Sequence, residues 1–222
     1  MHGAAPAGAV FVARLGRRIA TLFPLKMFST MGAVALFFYL YFWVMRHPLS
    51  ATSVMPLIGL DAWIGFLPAT FPLYASLWVY IALGTALARD FRDLAAYGAA
   101  SLAMSAVGLA VFMLWPTKVP EFGIDWSLYP SLAFMKSVDV TGNACPSLHA
   151  AFCVFTAVVL HAQLKSLGAA RWLLAGNLLW ALGILVSTIA TRQHVALDAI
   201  AGAALGGATA AVYLRMLYGS WR

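Results

Sequence analysis

Apolar stretches of about 20 residues, the length a helix needs to cross a bilayer, follow one another along this chain with only short polar breaks. They run roughly from Phe28 to Met45, Pro72 to Ala88, Leu94 to Trp115, Pro146 to Leu164, Trp172 to Ala190 and Val195 to Leu217. The residues are 63% hydrophobic and 9% charged, against roughly 25% charged in a soluble domain. Lipid is therefore the solvent for most of the chain. The sequence predicts an all-α integral membrane bundle of about six transmembrane helices, with no room for a separate soluble domain. A basic N-terminal segment, residues 1–27, precedes a six-helix membrane domain, residues 28–222.

The breaks between spans differ in kind. Arg14, Arg17, Arg18 and Lys26 stand among small and apolar residues, so residues 1–26 read as a basic segment facing the membrane or as a disordered tail. Phe28–Met45 is long for a secretory signal and no small-x-small cleavage site follows it. Residues 48–71 carry Pro48, Pro56, Gly59, Asp61, Gly65 and Pro68, which suits a loop or interfacial segment. Residues 116–145 hold Lys118, Glu121, Asp125, Lys136 and Asp139 with Trp126, Tyr129 and Phe134 between them, as expected of a loop at headgroup level. Gly202 and Gly206 offer a small-xxx-small face for close helix packing.

The net charge is +7, but the cations sit at the ends of apolar segments rather than in a stripe, which argues against nucleic acid as a partner. Six spans put both termini on one side. Ten of the 14 lysines and arginines fall there: Arg14, Arg17, Arg18, Lys26, Arg89, Arg92, Lys165, Arg171, Arg215 and Arg222. Arg46, Lys118, Lys136 and Arg192 make up the other four. The positive-inside rule then predicts cytoplasmic termini and a long polar loop on the periplasmic, extracellular or lumenal side. Cys145 and Cys153 are eight residues apart on one expected helix, about 12 Å of rise, beyond disulfide reach.

Chemistry concentrates in two clusters at that outer face. In Asn143-Ala144-Cys145-Pro146-Ser147-Leu148-His149, Pro146 is expected as the first helical residue. The N–H groups of Ser147 and Leu148 would then lack partners and form an anion site at the positive end of the helix dipole. His149, one turn deeper, could protonate an oxygen of the bound anion. The second cluster runs from Ser187 to Asp198. His194 and Asp198 are four apart and share a helix face. A carboxylate in a bilayer needs a partner, and pairing with His194 would fix the imidazole tautomer, leaving the other nitrogen as nucleophile. Arg192 is placed to offer a guanidinium to a phosphate.

These residues resemble the motifs of the type-2 phosphatidic acid phosphatase superfamily of membrane lipid phosphatases and phosphotransferases. Its Pro-Ser-x-His motif is matched by Pro146, Ser147 and His149. Its third motif, a serine seven residues before a histidine with an aspartate four after, is matched by Ser187, His194 and Asp198. The resemblance covers about half the chain. The family's first motif, a lysine followed seven residues later by Arg-Pro, has no counterpart: seven after Lys118 stands Asp125. Thr188 stands where an arginine normally follows the third-motif serine, with Arg192 four residues on. The Pro-Ser-Leu-His and Ser-Thr-x-x-Thr-x-x-His variants look more like the inositol-phosphorylceramide-synthase branch, which moves a head-group phosphate between lipids.

The resemblance implies phosphoester transfer through a phosphohistidine. His194 attacks phosphorus, Asp198 orients it, and His149 protonates the departing alkoxide before serving as base for water or a lipid alcohol acceptor. Arg192, Ser147, Ser187 and Lys118 would balance phosphoryl charge. The implied partner is a phosphorylated lipid in the bilayer, with no cofactor and no metal. Two rival readings use the same residues. Cys145, His149, His194 and Asp198 could ligate zinc for a hydrolase, or the polar residues could line the pathway of a non-enzymatic lipid-binding or transport protein. The latter predicts charges continuing through the bilayer, whereas the middles of the spans hold essentially none.

Overall fold

A computed structural model describes residues 7–138 and 141–219 of the chain. Asp139 and Arg222, singled out above, lie outside the described residues, as do the ends of the two domains expected from sequence. Helix α1 (Ala7–Ala20) opens the chain, so the basic segment is helical where it is described. Among the described residues six further segments are long and apolar enough to cross a membrane, which makes the chain a multi-pass membrane protein: α2 (Phe23–Arg46), the composite span Pro68–Ala86, α6 (Phe91–Leu114), α8 (Leu148–Leu167), α9 (Arg171–Ala190) and α10 (Ala196–Tyr218, apolar to Leu217). Short helices α3 (Gly59–Ile64) and α7 (Pro130–Val138) lie in the loops.

The second span begins earlier than the sequence suggests, at Pro68 rather than Pro72. A 3-10 turn (Pro68–Thr70) leads into α4 (Phe71–Ala75) and, after a break at Ser76, α5 (Leu77–Ala86). Prolines 68 and 72 both sit in first turns, where a missing N–H costs nothing. The Ser76 hydroxyl donates back to the Leu73 carbonyl and accepts from the Trp180 indole at 2.8 Å, which holds the break against α9.

Hydrogen bonds fix which helix ends share a face. Lys26 Nζ donates to the Ala86 carbonyl at 2.9 Å, Arg18 to Ser166 at 3.0 Å, and the Tyr213 hydroxyl to the Asp93 carboxylate. These bonds gather the start of α2, the ends of α5, α8 and α10 and the start of α6 at one face, the terminal face. At the opposite face Asn143 donates to the Tyr41 hydroxyl, joining the end of α2 to the segment before α8. There β1 (Ser53–Val54) pairs in parallel with β2 (Thr117–Lys118), and Thr117 bridges on to Asn143. The Thr117 hydroxyl accepts from Cys145 N at 2.8 Å. Three loops are thus stitched together over the entrances of α8 and α10.

Helix α8 is the core of the bundle: Ala150, Ala151, Cys153, Phe155 and Val159 are wholly buried. Its contact with α10 is backbone-close. A Cβ on Gly202 would stand 2.1 Å from the Ser147 carbonyl oxygen, and one on Gly206 the same distance from that of Ala151. The small-xxx-small pair therefore sets the depth of α10 against α8. Since Ser147 N also donates to the Asp198 carbonyl at 3.0 Å, the starts of both helices are locked in register.

Candidate active site at the starts of α8 and α10

Helix α8 starts two residues later than the sequence suggests. Pro146 is not its first residue; Ser147 is the N-cap, its Oγ accepting from Ala150 N at 3.1 Å, and the helix begins at Leu148. The expected anion site changes accordingly. Ser147 N is consumed by Asp198, its hydroxyl oxygen accepts in the cap, and the residue is fully buried. Ser147 thus braces the site through its N–H and through the acceptor side of its hydroxyl, whose own O–H is not used by the cap.

His149 follows in the first turn of α8, with the ring of Tyr74 lying on its own. His194 lies in the turn before α10, its N–H held by the Thr188 carbonyl at 3.0 Å. The two imidazoles face one another, 6.5 Å between ring centroids. Asp198, fully buried, caps α10 by accepting from Val195 N at 3.2 Å, and the same oxygen stands 3.4 Å from His194 Nδ1. That separation is an ion-pair contact rather than a well-aligned hydrogen bond; Nδ1 has no hydrogen-bond partner among the described residues.

Arg192 takes a left-handed backbone conformation, φ 56°, in the tight turn between α9 and α10. Its guanidinium donates to the Asp61 carbonyl at 3.2 Å and packs 4.6 Å over the Phe122 ring. Ser187 is buried in α9 with its hydroxyl donated to the Ile184 carbonyl, and the Thr191 hydroxyl in turn donates to the Ser187 carbonyl. Lys118 is held by backbone pairing in β2, where Met55 N donates to its carbonyl. Lys136 donates to the Arg192 carbonyl at 3.2 Å and sits over Trp126. The structure therefore brings His149, His194 and Asp198 together, with Arg192 and Lys118 on the loops around them.

Buried side-chain polar atoms without a partner are costly. Among the described residues they include His149 Nε2, His194 Nδ1, Asp198 Oδ1 and Arg192 Nε. Four of the seven such atoms among the described residues fall in these two short motifs. A cavity of about 650 Å³ opens there. Both histidines line its end at the face opposite the terminal one, with Asn143 and Gln193. Its walls, from α2, α5, α6 and α8, are mostly apolar, with no Asp, Glu, Lys or Arg in the lining among the described residues. On α2 the lining extends from Phe42 back to Leu25, 17 residues or about 26 Å along the helix.

Cys145, His149, His194 and Asp198 do not form a group of three or more that could hold a metal ion. Burial pushes the Cys145 thiol above its usual pKa, and the neighbouring Asp198 carboxylate adds to the effect, so with no metal beside it the group is held as the thiol. Sequence reasoning missed two residues here. Tyr74 stood in a stretch read only as apolar. Asp61, read as a loop breaker, is buried and accepts from both Ile58 N and Ala196 N at 2.8 Å, tying the α3 loop to the first turn of α10. Its one signal was a carboxylate within an otherwise apolar run.

The sequence pattern of the PAP2 superfamily matches residues 92–222, from the first turn of α6 through both histidine motifs to the end of the chain. No curated protein and no solved structure matches the chain.

Proposed function

This chain belongs to the PAP2 superfamily of phosphatases and phosphotransferases, and from that premise we propose that it cleaves a lipid phosphoester through a phosphohistidine at the outer membrane face. The observation that carries this reading is that His149 and His194, from two different helix entrances, line the same end of one long apolar cavity. A phosphate at the histidines would leave its hydrocarbon chain along α2, shielded from water for most of the bilayer's depth.

In the proposed reaction His194 Nε2 attacks phosphorus; a P–N bond forms as the P–O ester bond breaks. Asp198 beside Nδ1 keeps the proton on that nitrogen and stabilises the imidazolium as charge develops. His149 gives its proton to the departing alkoxide. It then takes a proton from water or a lipid alcohol, which attacks phosphorus and releases His194. Water yields phosphate; an alcohol yields a new lipid phosphoester. The first N–H groups of α8 would bond the phosphoryl oxygens, while Arg192 and Lys118, on the surrounding loops and outside the cavity lining, would add positive charge from farther away. The Pro-Ser-Leu-His variant, like that of the inositol-phosphorylceramide-synthase branch, tilts the balance slightly from hydrolysis toward transfer, while the broader superfamily pulls back. The excess of cations on the terminal face supports cytoplasmic termini and a site on the periplasmic, extracellular or lumenal side.

The test is incubation of the purified protein with a panel of phospholipids and isoprenoid phosphates, with and without alcohol acceptors, following phosphate release and new lipid products. Turnover of at least one lipid phosphoester is the expected result. Failure across the panel, with the protein folded, would remove the lipid reading.

A further inference from the structure

We propose that Ser101 and Ser105 of α6 form a polar subsite within the apolar cavity, one that bonds the ester or amide carbonyl joining a lipid's hydrocarbon chain to its phosphorylated head. This subsite rests on the phosphate lying at the two histidines, as proposed above, and it decides which lipids the cavity accepts.

Ser101 is the eleventh of the 24 residues of α6, near the middle of a span. A hydroxyl in hydrocarbon is costly unless bonded, and serine or threonine in a helix ordinarily returns it to a carbonyl one turn back. Other hydroxyls of the cavity wall do so: Thr85 donates to the Ala82 carbonyl at 3.0 Å and Ser29 to that of Lys26 at 3.4 Å. Ser101 does not. Its Oγ is buried with no hydrogen-bond partner among the described residues, and the residue lines the cavity. Ser105, buried and four residues on, shares that face of the helix and lines the same cavity.

Close helix packing, the commonest use of serine in a span, does not account for this face. Gly98, three residues before Ser101, also lines the cavity, and a Cβ there would meet nothing within 4 Å. The stripe Gly98–Ser101–Ser105 borders open space rather than a neighbouring backbone.

Depth selects the chemistry. A Cβ on Gly108 would stand 2.5 Å from Leu148 Cδ2, so Gly108 marks the level at which α8 begins, beside His149. Ser105 is three residues deeper and Ser101 seven, about 4.5 and 10.5 Å at the helical rise. In a diacylglycerol phosphate, and in a phosphorylated N-acyl sphingoid lipid, the acyl carbonyls are five or six bonds from phosphorus, about 6–7 Å at the reach of an extended chain. With the phosphate at the histidines, those carbonyls fall between the two serines. An isoprenyl phosphate carries no polar group at this depth and would leave the Ser101 hydroxyl unsatisfied, which discriminates against it.

Diacyl and dialkyl phosphatidic acids of equal chain length carry the same phosphate and differ in the two carbonyls. Their competition for full-length His194→Ala in neutral detergent, read by native mass spectrometry, measures binding without turnover. The diacyl lipid should be preferred about three- to tenfold, the worth of one hydrogen bond, and an isoprenyl phosphate should rank with the dialkyl lipid. Ser101→Ala should lower the ratio, Ser101→Ala/Ser105→Ala should bring it close to one, and Ser101→Thr/Ser105→Thr, which keeps both hydroxyls, should restore it. Ceramide phosphate in the same competition separates the two sources of the carbonyl: binding above the diacyl lipid assigns an amide-carrying lipid, binding below it an ester-carrying one. Ser101→Ala should also leave the Tm of lipid-free protein unchanged or higher, since no bond of the fold is lost, and this single variant decides the matter should the double one fail to fold. A binding preference with no turnover of any lipid by wild type would keep the subsite and remove the phosphohistidine reading. Turnover without a preference, a preference that survives removal of the hydroxyls, or a marked drop in Tm for Ser101→Ala overturns the subsite.

Discussion

The phenol ring of Tyr74 lies flat on the imidazole of His149, 4.1 Å between centroids and 5° between planes. Tyr74 is buried at the end of α4, two residues before the break that Trp180 braces. The stack fixes the plane in which His149 can meet a leaving oxygen, and a misplaced catalytic group can cost about 100-fold. Tyr74→Ala should therefore lower kcat by about 10- to 100-fold with a smaller change in KM, whereas Tyr74→Phe keeps the ring and most of the rate. Unchanged kcat in Tyr74→Ala would reduce the stack to packing.

Gly202 and Gly207 make a matched pair for stability. A Cβ at 202 meets backbone at 2.1 Å, which can yield only if α8 and α10 part; a Cβ at 207 meets one methyl of Val154 at 4.0 Å. Gly202→Ala should cost about 1–3 kcal/mol or prevent folding. Gly207→Ala should be neutral or stabilise by about 0.5–1 kcal/mol, because alanine loses less backbone entropy in a helix. Thermal melts in detergent separate the two. Because the Gly202 contact also sets Ser147 against Asp198, any folded Gly202→Ala should lose activity out of proportion to its stability.

Asp61 holds two helix starts with one carboxylate. Asp61→Ala leaves the buried Ala196 N–H without an acceptor, a loss of about 1–3 kcal/mol. Asp61→Asn keeps one acceptor oxygen and should recover part of it. The drop in melting temperature measures the first, and its partial return in Asn the second.

How much of this was legible in the sequence depended on the range of the interactions. The spans follow from apolar length alone, and expected and observed limits differ by a few residues: Leu94–Trp115 became Phe91–Leu114. Gly202 and Gly206 were readable because small residues four apart have one strong use in a membrane helix. The start of α8 was misplaced because Pro146 fits a first helical position locally, whereas the hydroxyl of Ser147 caps the helix and the N–H of Ser147 is taken by the Asp198 carbonyl of α10. The contacts of Tyr74 and the long-range contact of Asp61 were not legible, although Asp61 stood out as a carboxylate in an apolar run. Their partners are 135 and 75 residues distant, and no local pattern reports such a contact.

Chelators should leave activity intact, and Cys145→Ser should keep most of it. The four candidate zinc ligands are not gathered as a metal-binding group, and the Cys145 thiol is biased toward its protonated form. Alkylation of Cys145 should accordingly be slow at neutral pH and speed up in alkali. Loss of activity with chelator, restored by added zinc, would return the site to the rival reading.

The order of roles is tested by three substitutions read together. His194→Ala removes the proposed nucleophile and should abolish both hydrolysis and transfer, since both share the first half-reaction. His149→Ala leaves the nucleophile but removes the proton donor, so its deficit should grow as the leaving alkoxide becomes more basic and shrink for an activated, phenol-like leaving group. Asp198→Asn should retain binding and lose most turnover, because an amide beside Nδ1 no longer fixes the tautomer or stabilises the imidazolium. Rapid quench of wild type with labelled lipid should trap acid-labile phosphate on the protein, absent in His194→Ala. Near wild-type turnover by His194→Ala, with or without trapped phosphate, would mean that another group attacks phosphorus and that the 6.5 Å histidine pair serves a different end.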